Sequence, residues 1–102
     1  MVLVDDEIDT GGSIAQAVNL VKENGARRVF VAFVHPIFSA NAAERLAALP
    51  VTEYITTDSV PIPADKREPF GKRLTILTVA PLLGEVIRRA HEGRSVGQMF
   101  NE

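Results

Sequence analysis

The chain alternates between short runs of apolar residues and longer stretches in which apolar residues recur every three or four positions. The short runs are typical of strands that are buried on both faces of a parallel sheet. They predict four strands, at residues 2–4, 29–34, 51–57 and 74–79. The longer stretches have the period of amphipathic helices, and they predict helices over residues 13–24, 39–48 and 81–92.

Residues at the ends of the predicted helices support these boundaries. Gly25 is the expected stop of the first helix, because glycine adopts a left-handed backbone without steric cost. Ser39 is the predicted cap of the second helix. Pro81 fits the first turn of the third, and Gly93 ends it. Prolines, a glycine and several charged residues predict a loop over residues 58–73.

Strands that alternate with helices at this spacing predict an α/β domain of three layers, with a mostly parallel sheet flanked by helices. A length of 102 residues allows one domain at most. Because the chain opens directly on an apolar strand, we expect it to be a fragment, with further sequence upstream of Met1.

Composition and charge exclude several classes of partner. The formal net charge is −2, so no general attraction to nucleic acid or to an anionic membrane is expected. No apolar stretch approaches the roughly 20 residues that span a bilayer. The chain has no cysteine, which excludes disulfides and thiolate metal sites and is compatible with a reducing cytoplasm. We therefore expect a cytoplasmic protein without a nucleic-acid or membrane partner.

The candidate chemistry lies in the sequence VLVDDEIDTGGSI, where an apolar strand leads through an acidic pair into a glycine-containing turn and a helix. Ligands of open α/β sheets bind at the carboxyl ends of the strands. A helix N-terminus offers unpaired N–H groups and favours phosphate. Two glycines let the backbone close around an anion, and two hydroxyls can donate to it. The predicted anion loop consists of Asp9, Thr10, Gly11, Gly12 and Ser13.

The carboxylates of Asp5 and Asp6 suit a different group from the one that the loop holds, because they repel a phosphate. They can accept hydrogen bonds from sugar hydroxyls or bind a hard cation such as Mg²⁺. Asp9 lies closest to the loop, where it could cap N–H groups or orient the turn. A phosphate site beside a row of hydroxyl acceptors describes a pentose 5-phosphate. The alternative is that Asp-Thr-Gly-Gly-Ser is only a helix cap and turn that binds no ligand. Taken by themselves, these five residues fit both interpretations.

The unit VLVDDEIDTGGS resembles the ribose-phosphate-binding signature of the type I phosphoribosyltransferase fold. Three further blocks, VHPIFSANAAERL, YITTDSVPIP and LTILTVAPLLGEVIRRAHEGRSVGQMF, resemble successive segments of the C-terminal domain of the ribose-phosphate pyrophosphokinase family. The resemblance covers nearly the whole chain. It implies that residues 1–102 are the C-terminal part of a phosphoribosyltransferase-fold domain that carries the ribose 5-phosphate loop.

The resemblance implies an oligomeric, Mg²⁺-dependent enzyme that transfers diphosphate from ATP to the 1-hydroxyl of ribose 5-phosphate. The loop would hold the 5-phosphate, and Asp5 would contact the ribose as a member of the acidic pair with Asp6. The family's ATP site, catalytic loop and metal-binding histidine would lie upstream of Met1. The resemblance thus places no catalytic residue within this chain. His35 and His91 are interpreted as structural and surface residues.

The chain departs from the family pattern at three positions. The family commonly has glycine where Pro36 and Ala40 stand, so the conformation of that loop is open. It often has serine where Gly97 stands, in a segment that joins an allosteric phosphate site in regulated members. Ser95 and Val96 are therefore only candidate allosteric residues, and a solvated tail is the alternative.

Two other functions remain open. A phosphoribosyltransferase would use the same loop to bind an activated sugar, although the three downstream blocks argue against it. A non-catalytic subunit that resembles the synthetase and regulates an active partner is compatible with an intact loop, because the loop alone does not prove turnover.

Overall fold

The computed structural model describes residues 1–93 and 97; the candidate allosteric residues Ser95 and Val96 lie outside the described part. The strands are β1 (Val2–Ile8), β2 (Phe30–Pro36), β3 (Glu53–Thr57) and β4 (Leu74–Leu77). The helices are α1 (Gly12–Glu23), α2 (Ala42–Ala47), α3 (Ala64–Arg67) and α4 (Ala80–His91), with a 3₁₀ segment at Glu68–Arg73 between α3 and β4.

The four strands form one sheet in the order β1-β2-β3-β4, and all neighbouring strands are parallel. Asp5 of β1 lies opposite Phe33 of β2, and Val31 of β2 lies opposite Tyr54 of β3. The predicted class, α/β with a parallel sheet and helices packed against it, is confirmed. The described helices α1 and α2 pack on one face only, so the expected three layers are two in the part of the chain that the structure describes. The parallel arrangement brings the carboxyl ends of all four strands to one edge of the sheet.

The core lies on one face of the sheet. Parallel strands are joined by right-handed crossovers, and strands that follow in spatial order therefore place every crossover on the same side. Val31 and Phe33 point to that side from β2 and pack in one buried cluster with Val18 of α1 and Leu46 of α2. Phe70 of the 3₁₀ segment completes the cluster and stacks on Phe38, with ring centroids 5.7 Å apart.

The opposite face of the sheet is exposed in the described chain. Val4 keeps 78% of its surface accessible, Val34 42% and Leu77 55%. The prediction that residues 2–4 form a strand buried on both faces is therefore wrong. Successive side chains of a strand alternate between the faces, and α1 and α2 cover only one of them. An apolar groove of about 200 Å³ runs across this open face.

Helix α4 begins at Ala80 with Pro81 in its first turn, as predicted. Its apolar residues remain largely accessible, with Leu83 54% and Ile87 69% exposed. On its polar side Glu85 accepts hydrogen bonds from Arg88 and Arg89. These bonds, the one from Arg88 most strongly, lower the pKa of Glu85 to about 2. No helix in residues 1–93 is both long and apolar enough to cross a membrane.

Several predicted boundaries need correction. Residues 58–73 contain α3 and the 3₁₀ segment rather than loop alone. Pro63 precedes α3 and Pro69 lies in the first turn of the 3₁₀ segment, where a missing N–H costs nothing. Ser39 does not cap α2, which begins after Asn41. Gly25 and Gly93 follow their helices with φ of 94° and 72°, so the predicted stops are confirmed.

Candidate functional site

The acidic pair and the anion loop form one pocket at the carboxyl edge of the sheet. The pocket has a volume of about 270 Å³, and residues 5–14 line it. The structure therefore brings together every predicted binding residue: Asp5, Asp6, Asp9, Thr10, Gly11, Gly12 and Ser13. One detail differs from the prediction, because β1 continues to Ile8 and the acidic pair lies within the strand instead of after it.

The two glycines of the loop have different roles. Gly11 has φ of 85° and is buried, and a Cβ atom built on it would lie 3.3 Å from Leu46 Cδ2. A left-handed backbone disfavours any other residue there. Gly12 is the first residue of α1, and a Cβ atom on it would make ordinary contacts at 3.6 Å and beyond. The turn therefore requires glycine at position 11, and position 12 has room for a methyl group.

The N-terminus of α1 faces the pocket without a side-chain cap. The nearest candidate, Thr10 Oγ1, accepts from Gly12 N–H over 3.5 Å, the limit of a hydrogen bond. Ser13 is exposed at the same helix end. The first N–H groups of a helix need partners from outside the helix, and an anion satisfies them and is favoured by the helix dipole.

Asp5 and Asp6 are linked to the strand that carries them. Asp6 N–H donates to Asp5 Oδ1 at 2.8 Å, and Glu7 N–H donates to Asp6 Oδ1 at 2.9 Å. The pKa of Asp6 lies below its ordinary value, chiefly because of a hydrogen bond with the Asp5 side chain and then because of the Glu7 N–H. Asp6 is therefore ionised at neutral pH and can accept hydrogen bonds from sugar hydroxyls.

Asp9 orients the loop by contacting the segment between β2 and α2. Its carboxylate accepts a hydrogen bond from the Ser39 hydroxyl, and its carbonyl accepts from Ser39 N–H at 3.0 Å. The neighbouring Ile8 carbonyl accepts from Phe38 N–H at 3.1 Å. Of the two roles considered for Asp9, the structure supports orientation of the turn, since its side chain is bound to Ser39.

The segment between β2 and α2 that contacts Asp9 is conformationally strained. Phe38 and Ala40 have φ of 51° and 53°, in the left-handed region that residues with a Cβ atom adopt at a cost. Phe38 is held there by burial against Phe33 and Phe70. Ala40 stands where the resembling family commonly has glycine, and the structure explains that preference. Pro36 ends β2 without a positive φ.

Arg45 of α2 also contacts the loop, and the sequence analysis did not identify it. Its Nη1 donates to the Thr10 carbonyl at 3.3 Å. No sequence signal marks this contact, because Arg45 has the position of an ordinary exposed helix residue. Only the packing of α2 behind the loop brings its side chain there.

The two histidines have the roles that the sequence indicated. The His35 ring Nδ1 is 2.8 Å from Ser59 Oγ, and Ser59 Oγ donates to the Val34 carbonyl at 3.0 Å. His35 thus ties the end of β2 to the segment after β3. His91 is the exposed last residue of α4.

Residues 1–93 and 97 contain no group of three or more acidic or histidine side chains arranged around a metal ion. The donor chemistry of Asp5 and Asp6 nevertheless fits Mg²⁺. This ion takes oxygen ligands and is usually bound by one or two carboxylates together with substrate phosphates and water.

The fold and the pocket define a class: parallel α/β domains with a pocket at the carboxyl edge of the sheet, where the N-terminus of a helix follows an acidic strand. The family model of the phosphoribosyl synthetase-associated domain matches residues 1–101. The chain belongs to this family, and the resemblance found in its sequence is confirmed.

The chain is similar to curated proteins named ribose-phosphate pyrophosphokinase. It is 44% identical to that of Oceanobacillus iheyensis, over 98% of this chain and 31% of the relative. It is 48% identical to that of Nostoc sp., over 97% of this chain and 29% of the relative. The crystal structure of phosphoribosylpyrophosphate synthetase from Mycobacterium smegmatis matches with a TM-score of 0.84 and 48% identity, over 90% of this chain and 30% of that one. The chain thus spans about a third of the length of these relatives.

Proposed function

We propose that this chain is the ribose 5-phosphate-binding part of a ribose-phosphate diphosphokinase, an enzyme that transfers diphosphate from ATP to the 1-hydroxyl of ribose 5-phosphate. The observation that carries the proposal is one pocket in which an uncapped helix N-terminus adjoins the acidic pair Asp5 and Asp6. The names of the similar proteins support the reaction. They favour it over a phosphoribosyltransferase or a non-catalytic regulatory subunit.

In this proposal the residues of the chain bind and orient the nucleophilic sugar. The N–H groups around Gly11 and Gly12 and the hydroxyls of Thr10 and Ser13 hold the 5-phosphate. Asp5 and Asp6 accept hydrogen bonds from the ribose hydroxyls. Phosphoryl and diphosphoryl transfer depend largely on positioning and charge neutralisation, so fixing the sugar at both ends is a substantial contribution to rate.

The remaining parts of the reaction are assigned by the resemblance alone. Mg²⁺ would neutralise charge on the transferred diphosphate, and the carboxylates of Asp5 or Asp6 could supply one or two of its oxygen ligands. The ATP site and the catalytic residues would lie in the part of the relatives that this chain does not match. We place the chain at the C-terminal side of such a protein, which would be a cytoplasmic homo-oligomer.

Titration of the 102-residue chain with ribose 5-phosphate and, separately, with inorganic phosphate tests this proposal by NMR. Gly11→Ala should weaken the binding of both ligands, because it forces a side chain onto a left-handed backbone beside Leu46. Gly12→Ala is the matched control, and its effect should be smaller. Asp5→Asn should weaken the binding of ribose 5-phosphate and leave the affinity for inorganic phosphate unchanged.

Absence of any shift in the amides of residues 9–14 on adding ribose 5-phosphate would reject the proposal. Equal effects of Asp5→Asn on both ligands would reject the assignment of the acidic pair to the sugar. For the protein that carries this chain, AMP release from ATP and ribose 5-phosphate distinguishes the diphosphokinase from a phosphoribosyltransferase, which would act only on a base and the activated sugar.

A further inference from the structure

Arg45 lies behind the anion loop, outside the residues that line the pocket. Its Nη1 donates to the Thr10 carbonyl at 3.3 Å. The same nitrogen is 3.6 Å from the position of a Cβ atom on Gly12, and Arg45 Cδ is 3.8 Å from that position on Gly11. The side chain therefore runs along three consecutive loop residues, on the side that faces α2.

This contact fixes the direction of a peptide group. The described residues contain no cis peptide bond, and in a trans peptide the C=O and N–H groups point in opposite directions. The Thr10 carbonyl points to Arg45, so the N–H of Gly11 in the same peptide points away from α2. A rotated peptide would instead present a carbonyl oxygen to the bound anion, which would repel it.

The positive charge of Arg45 counteracts the repulsion between the carboxylates of the pocket and a bound phosphate. The lining carries the carboxylates of Asp5, Asp6, Glu7 and Asp9, and each raises the energy of a bound phosphate through like-charge repulsion. The guanidinium of Arg45, separated from the pocket by one peptide group, lowers the energy of the bound phosphate by attraction. It also polarises the peptide to which it is hydrogen-bonded.

We propose that Arg45 is a positioning residue of the anion loop, which holds the Thr10–Gly11 peptide with its N–H toward the ligand and supplies positive charge to the phosphate site. The loop's role in phosphate binding rests on the proposed function; the orientation of the peptide does not. Arg45 acts through the loop, without contact to the sugar.

The first measurement uses the unliganded ¹⁵N-labelled chain and compares wild type with Arg45→Met, Arg45→Lys and Arg28→Met. Arg28 precedes β2 at the amino end of the strands and is exposed, so its substitution is the matched control for lost charge. In Arg45→Met, the N–H order parameters of Gly11 and Gly12 should fall from about 0.85 toward 0.6 or below. The N–H of Val18 should stay rigid, which shows that the fold is intact.

The second measurement is the affinity of the same proteins for ribose 5-phosphate. Arg45→Met should weaken binding about tenfold or more, the loss expected for a hydrogen bond to a charged group. Arg45→Lys keeps the charge and should recover part of the affinity, and Arg28→Met should bind as wild type does. If Arg45 served folding alone, Arg45→Met would lower stability, but the order parameters of the loop and the affinity for ribose 5-phosphate would be those of the wild type.

The outcomes separate the two proposals. Unchanged loop rigidity and unchanged affinity in Arg45→Met would overturn the role of Arg45 and leave the proposed function intact. A loosened loop in a protein whose wild type does not bind ribose 5-phosphate would support the positioning role and reject the proposed function. If Arg45→Met does not fold, Arg45→Lys replaces it in the order-parameter comparison, because it keeps the charge but lacks the planar donor.

Discussion

At the scale of the residue, backbone conformation distinguishes positions that look equivalent in the sequence. Gly11 and Gly12 are adjacent and chemically identical, yet only Gly11 has a positive φ and lies against Leu46. Ala40 presents the opposite case, since a residue with a Cβ atom has φ of 53°. The sequence marks Ala40 only as a departure from a family pattern, and the structure supplies the physical cost of that departure.

Ala40→Gly should stabilise the chain. Removal of the Cβ atom relieves about 1–2 kcal/mol of left-handed strain, and the greater freedom of glycine in the unfolded chain offsets about 0.5–1 kcal/mol of it. We expect a net gain of up to about 1.5 kcal/mol in the free energy of unfolding, measured by urea denaturation.

Ala48→Gly is the control for this prediction, because Ala48 directly follows α2 in an ordinary right-handed conformation. The same change there should lower stability. If both glycine variants lose stability to a similar degree, the strain assigned to Ala40 is absent.

At the scale of the element, α2 is a helix of six residues that is held in place by groups from elsewhere in the chain. Tyr54 OH donates to the Leu46 carbonyl at 2.6 Å in the core, where burial raises the pKa of the phenol. At the C-terminal end of the helix, Arg73 donates to the carbonyls of Ala47, Leu49 and Val51. Because α2 carries Arg45 and Leu46, these contacts also fix the position of the anion loop.

Arg73→Ala should destabilise the chain by about 2 kcal/mol, because it leaves three carbonyls at a helix end without their charged donor. The midpoint of thermal or urea unfolding measures this loss. Arg67→Ala, a change of the same kind on exposed α3, should alter stability by less than about 0.5 kcal/mol. Equal effects of the two substitutions would show that the Arg73 hydrogen bonds contribute nothing specific.

At the scale of the whole molecule, the strand order leaves one face of the sheet without helices. Val4, Val34 and Leu77 are exposed on that face, and the outer edge of β1 has no neighbouring strand in the described chain. Exposed apolar surface and an open strand edge both favour association with another polypeptide.

We expect the isolated chain to self-associate through this face at micromolar concentrations. Val4→Lys should shift the sedimentation coefficient toward that of the monomer, because a charge placed on the open face must be desolvated on association. Leu20→Lys, on the outer side of α1 where Leu20 is 60% exposed, is the matched control and should not. A wild-type chain that remains monomeric at all concentrations would contradict the prediction.

The sequence predicted the main elements of the fold well because their signals are local. Apolar runs, a 3.6-residue period, Gly25 and Pro81 were enough to place four strands and three helices within a few residues. The loop over residues 58–73 was the exception, since α3 and the 3₁₀ segment are short and their stability depends on Phe70 in the core. Short elements of this kind carry too little periodicity to identify.

The sequence by itself determined the order of the elements, the parallel sheet and seven of the ten residues that line the pocket, because apolar periodicity and one short contiguous motif carry these signals. Tertiary structure decided which glycine the turn requires, that Asp9 binds Ser39, that Arg45 lies behind the loop and that β1 has an exposed face. The first three depend on residues that are distant in sequence and meet only when α2 packs on the sheet, and the exposed face of β1 follows from the strand order, which places the crossovers on the other side. Local patterns are silent about such contacts, since side-chain packing and not periodicity selects them.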